Sequence, residues 1–142
     1  MAALTGTVVQ EGRYEPGHEY TAIGSYTLVG AITNADTITW TNLLPAYYAG
    51  IQILAVTRWG QELDTNASPS LVEILGDGSD TDGYITSATS GDATGQFQRL
   101  GDGALIGTAP ASRNAVLTTS GSLGTAASTG TVWVAIRYYC KG

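Results

Sequence analysis

Residues 131–142 (TVWVAIRYYCKG) alternate strictly. Val132, Val134, Ile136, Tyr138 and Cys140 fall on one face of an extended chain, and Trp133, Ala135, Arg137 and Tyr139 on the other. Period-2 alternation of β-branched and aromatic residues predicts a β-strand. A strand covered on one side only would carry Thr, Lys or Glu on its second face. Trp, Tyr and Arg are instead the types concentrated at the centres of protein interfaces. The pattern therefore predicts one face in the core and one that meets a neighbour. Which face packs on an opposing layer is left open by alternation alone.

Similar but shorter patterns recur upstream. Tyr20–Val29 is rich in β-formers, with Gly24 expected as a bulge or bend. In Asp36–Thr41, Ile38 and Trp40 oppose Thr37, Thr39 and Thr41, and Leu43-Leu44-Pro45 closes the segment. Gly50–Trp59 is the longest internal strand, with Ile51, Ile53, Ala55 and Thr57 expected on one face and Gln52, Leu54, Val56 and Arg58 on the other. Pro69–Leu75 leads into a turn at 76–83, and Tyr84–Ser87 fits a strand start or a short helical turn. Ser90–Gly95 is expected as loop. Phe97–Leu100 and Ala104–Gly107 flank Gly101-Asp102-Gly103 as a hairpin. Ala115–Thr119 is followed by a small-residue loop at 120–130. About eight short strands at 8–12-residue spacing, with no helical pattern, predict an all-β sandwich or barrel.

Residues 1–18 stand apart. Glu11, Glu15 and Glu19 keep a helical spacing, but Gly12, Pro16 and Gly17 break it. This segment is expected as an extended N-terminal arm that orders against a partner, followed by a single domain over 19–142.

Composition removes several functions. One cysteine, Cys140, allows no intrachain disulfide and no Cys-based zinc site. A net charge of −6, with one lysine and five scattered arginines, argues against a nucleic-acid tracker and against an anionic membrane surface. No apolar run reaches the length of a membrane helix. The first residues lack the basic and apolar regions of a signal peptide, so synthesis in the cytoplasm is expected. His18, the only histidine, lies in the arm, and no nucleophile–base or phosphate-binding motif accompanies it. Asp77, Asp80 and Asp82 raise the question of a hard cation. An EF-hand register centred on Gly83 puts Gly78 and Thr89 where carboxylates are required, so a turn is the better reading. No enzyme activity, metal or cofactor is expected. Trp40 is expected in the core, with Trp59 and Trp133 at its edges.

The order of segments resembles a known group. Asp36–Trp40, Ile51–Trp59, Leu63-Asp64, Leu71–Asp82, Leu117–Gly121 and Thr131–Tyr139 are similar to the successive segments of tailed-bacteriophage capsid decoration (cement) proteins, and the resemblance spans about residues 20–140. It implies a jelly-roll-like antiparallel β-sandwich that forms a homo-oligomer, dimer or trimer. It also implies a place on the outer surface of the virion capsid, clamping neighbouring major capsid protein subunits. It carries no active site. Trp133, Arg137, Tyr139, Trp59, Arg58, Tyr47, Tyr48 and Tyr14 are the interface candidates, and the acidic charge would suit a basic rim on the shell. The alternative is a tail-fibre or receptor-recognition sandwich that stacks carbohydrate on Tyr47, Tyr48 and Trp59.

Overall fold

The structure, a computed structural model, describes residues 2–89, 96–122 and 124–142. Its strands are β1 (Ala3–Thr5), β2 (Thr7–Gln10), β3 (Glu19–Thr27), β4 (Thr37–Trp40), β5 (Ile51–Gln61), β6 (Val72–Gly76), β7 (Ile85–Thr89), β8 (Gln96–Leu100), β9 (Ala115–Ser120) and β10 (Thr131–Cys140). One turn of 3-10 helix, Tyr48–Gly50, precedes β5. The expected strand over Ala104–Gly107 is instead a series of turns. The loop expected at 90–95 lies outside the described residues.

Eight strands pair as one long hairpin rolled on itself. β3 pairs with β10, β4 with β9, β5 with β8 and β6 with β7, all antiparallel. Contacts of β10 with β5 and of β9 with β6 close the roll into two sheets. Their orders are β1-β4-β9-β6-β7 and β2-β3-β10-β5-β8. This is the jelly roll, in which a closed double layer protects most strand edges.

β1 and β2 extend the roll. Residues 3–10, expected within a partner-ordered arm, lie along their own chain. β1 adds in parallel to β4, and β2 adds antiparallel to β3, so one strap edges both sheets. The crossing point is Gly6, whose N–H donates to Thr39 O at 2.8 Å. Below it lies Trp40, fully buried, with Nε1 donating to Ser25 O at 2.9 Å. A Cβ on Gly6 would sit 2.2 Å from Trp40 Nε1, and one on Gly24 would sit 2.5 Å from its Cδ1. Gly24, expected as a bulge, thus serves close packing: the indole fills a slot that only two glycines leave open. Gly24→Ala is expected to cost about 1–3 kcal/mol through overpacking. A melting temperature unchanged from wild type would contradict this packing.

β10 keeps its expected alternation. Val132, Val134, Ile136, Tyr138 and Cys140 are buried between the sheets, which leaves the Trp133 face outward. β5 does not keep the expected phase. Tyr138 pairs with Ile53 and Arg137 with Ala55, so Leu54 is an extra residue in the ladder. This bulge flips every side chain beyond it. Ile51 and Ile53 face the core before it, and Val56 and Arg58 after it.

Candidate interaction surface

The bulge decides what the outer face of the second sheet carries. Pairing aligns Trp133 with Trp59 and Ser25, Ala135 with Thr57 and Ile23, Arg137 with Ala55 and Thr21, and Tyr139 with Gln52 and Glu19. On the far edge, Leu100 pairs with Thr57 and Gln98 with Trp59. The indoles of Trp59 and Trp133 stack, with centroids 5.8 Å apart and planes 13° from parallel. Both are half-buried. Leu100 is 65% exposed. Arg137 Nη1 meets Glu19 Oε1 at 3.0 Å in an ion pair open to solvent, a geometry that contributes little in water. The outer face of the first sheet differs: Thr37, Thr39 and Thr118 line it with Val72, Ile74 and Val116, and among the described residues it carries no aromatic.

The eight interface candidates therefore divide. Trp59, Trp133, Arg137 and Tyr139 share the outer sheet face. Tyr14, Tyr47 and Tyr48 lie at one end of the sandwich, where Tyr14 and Tyr47 meet edge-on at 5.0 Å. Tyr47 is 59% exposed, and the Tyr14 hydroxyl donates to Lys141 O. Burial holds the Tyr14 phenol above its ordinary pKa, helped by Tyr47.

Arg58 is a correction. It is fully buried and cannot serve an exposed interface. Its Nε and Nη2 donate to Glu73 Oε1 and Oε2 at 2.9 and 3.0 Å, a two-pronged pair that ties β5 in one sheet to β6 in the other. Nη1 and Nη2 also donate to Trp59 O and Gln61 O. Unbroken alternation would place Arg58 opposite Ile51 and outside the core; the bulge at Leu54 reverses it. Ile23, Leu54, Ala135 and Leu100 join the face without having been among the interface candidates. Of these, Ala135 was legible from its place on the Trp133 face of the last strand; Ile23 and Leu100 join through strand pairing, which alternation does not report.

Five of the twelve acidic residues lie in the interior. Asp36, Glu62, Asp64, Glu73 and Asp77 are buried. Burial alone would raise the Asp64 pKa, but N–H groups of Thr125, Gly124, Ser70 and Leu71 outweigh it and hold the carboxyl well below the usual range. Asp36 is lowered in the same way, burial being offset by donors from Thr33 and Ala2. The remaining described acids nearly balance the five outer basic residues, Arg13, Arg99, Arg113, Arg137 and Lys141. Among the described residues no group of three or more His, Cys, Asp or Glu is placed to hold a metal ion. Asp80 and Asp82 share a hydrogen bond that raises the Asp80 pKa, and Asp77 is occupied by N–H donors from Ser79, Asp80 and Ala111. Cys140 is buried. His18 is exposed and lies against Tyr20.

No protein-family model matches the chain, and no curated protein matches it. Solved structures do. A chain of the cyanophage Pam1 capsid asymmetric unit superposes with a TM-score of 0.67 and 28% identity. The match covers 94% of this chain and 92% of that one. A chain of the Ralstonia phage GP4 capsid superposes with a TM-score of 0.62 and 14% identity, over 94% and 91%. The second likeness is one of fold. The first extends to sequence along nearly the whole of both matched chains.

Proposed function

We propose that this chain is a structural protein of a tailed-phage virion that decorates and stabilises the capsid shell as a homo-oligomer, holding neighbouring major capsid protein subunits. The observation that carries this reading is the end-to-end likeness to a chain of the Pam1 capsid asymmetric unit. A jelly roll alone does not carry it, since lectins and cupins share that fold. The outer sheet face supports the oligomer. Trp59 and Trp133 form its centre, flanked by Ile23, Ala135 and Leu100, with one Arg137–Glu19 pair at its margin. Such a centre and rim is the make-up of a protein contact.

The carbohydrate reading needs Tyr47, Tyr48 and Trp59 on one platform. Tyr47 and Tyr48 precede β5, whereas Trp59 lies eight strand residues beyond Ile51, roughly 26 Å away. The three do not form one stacking surface.

Light scattering on the purified chain is expected to give a dimer or trimer at micromolar concentration. Trp133→Ala, and more so Trp59→Ala with Trp133→Ala, should weaken association at least tenfold while the far-UV signal of the β fold persists. A monomeric wild type, or an oligomer indifferent to both substitutions, would count against this use of the face.

A further inference from the structure

The strap β1–β2 and the segment that follows it are held differently. No residue from 2 to 10 is fully buried: Leu4, Gly6 and Val8 are half-buried and the rest are exposed. The strap is fastened mostly by its main chain. Ala2 N–H donates to Asp36 Oδ1 at 2.7 Å, and Thr37 N–H to Ala2 O at 2.9 Å. Gly6 N–H donates to Thr39 O, and Gln10 Nε2 to Thr21 O. Residues 11–18 are pinned to the roll itself. Gly12 N–H donates to Leu43 O, Gly17 N–H to Cys140 O, and the Tyr138 hydroxyl to Arg13 O. A Cβ on Gly12 would sit 2.7 Å from Tyr138 Oη and 2.8 Å from Pro45 Cδ. The two regimes meet between residues 10 and 11, next to the register shift between Val8 and Gln10.

No strand of the roll depends on the strap for its pairing. Without it β3 keeps β10, and β4 keeps β9. What the strap covers is the outer edge of β3, the outer edge of β4 and the indole of Trp40 beneath the crossing at Gly6. Uncovered, those two edges would offer unpaired N–H and C=O groups to any further strand.

We propose that residues 2–10 are a latch that opens as a unit between residues 10 and 11 while the roll stays folded, and that the closed latch guards two sheet edges from pairing with further copies of the chain. The proposal stands apart from the virion reading. Opening breaks the outermost ladder of each sheet and exposes Leu4, Val8 and one face of Trp40. Global unfolding exposes the whole core. The difference in apolar surface separates the two events in free energy. Gly6 is where the latch seats: a side chain there meets the Trp40 ring, and the strap can relieve the clash by lifting off.

Native-state hydrogen exchange on the full chain, read residue by residue by NMR, tests the opening. The amides of Gly6 and Thr37 donate across the strap, so they report it directly. In wild type they are expected to exchange roughly a hundredfold faster than the core amides of β10, which open only with the roll. Gly6→Val should speed the Thr37 amide by a further factor of about ten and leave β10 protected. Thr5→Cys with Thr39→Cys joins two paired positions and, once oxidised, should slow the same amide below wild type. By light scattering, Gly6→Val is expected to form assemblies larger than those of wild type and growing with concentration, and the cross-linked chain is not. One common exchange rate for Gly6, Thr37 and β10 in wild type would overturn the latch, as would loss of β10 protection in Gly6→Val. A strap shown open by exchange in Gly6→Val, with assemblies of wild-type size, would overturn the guarding role.

Discussion

Replacing Asp64 with alanine is expected to destabilise the chain by about 3–5 kcal/mol, lowering the melting temperature by roughly 10 °C or more. Its carboxylate is buried and accepts five backbone N–H groups from two loops far apart in sequence. Each donor left without an acceptor in a buried site costs on the order of 1–3 kcal/mol, and partial rehydration of the loops recovers some of that. Asn at this position should recover little, because its NH2 would face donors. The same residue predicts a pH dependence. Its folded pKa lies below the unfolded value, near 3.9. Its contribution is therefore complete above about pH 4 and is lost as pH falls from there toward the folded value. Asp36 and Asp102 are lowered too and add in the same direction. Asp80 is raised and acts oppositely, its share fading as pH rises past 4. Denaturant unfolding from pH 7 down to pH 2.5 should show stability falling below pH 4 in wild type and a flatter profile in Asp64→Ala. A wild-type curve flat across that range, or an Asp64→Ala melting point within 3 °C of wild type, would refute the role assigned to this carboxylate.

Glu73→Ala is the second large effect. The guanidinium of Arg58 lies with no exposed surface between the sheets, and both Glu73 oxygens face it. Removing the carboxylate leaves a buried cation short of its main counter-charge, which costs about 3–5 kcal/mol. Arg58→Lys should also destabilise, since an ammonium cannot reproduce the two-pronged contact or reach Trp59 O and Gln61 O together. Urea unfolding midpoints measure both. The pair also separates stability from association: Arg58→Lys should lower the midpoint, and Trp133→Ala should act chiefly on the oligomer. An Arg58→Lys chain of full stability with impaired self-association would return Arg58 to the surface.

The architecture was largely legible because alternation reports burial directly. β10 runs over the expected residues with the expected faces, and Trp40 is in the core as expected; Trp59 and Trp133, expected at the core's edges, instead stack on the outer face of the second sheet. Three features were not legible, each for a local reason. The bulge at Leu54 inserts one residue into an otherwise regular pattern, and apolar side chains on both sides of it conceal the change of phase. That single residue moved Arg58 inside. The strap β1–β2 reads as a polar leader because edge strands bury few side chains; Leu4 and Val8 alone pack against the core from it. The buried carboxylates were hidden because Asp in a loop reads as a turn residue, and its partners are backbone groups without a sequence signature. The candidate surface was half legible: Trp133, Arg137, Tyr139 and Trp59 share one sheet face, whereas Tyr14 and Tyr47 meet at the end of the roll, with Tyr48 next to them in sequence.

The central claim is that this chain is built into a virion. Cryo-EM of particles purified from the phage that encodes it measures this most directly. The account predicts density for this jelly roll at regular lattice positions on the outer shell, in contact with its own copies through the Trp59–Trp133 face. Particles complete at high resolution with no density for the chain, and no peptide from it by mass spectrometry of the same sample, would contradict it.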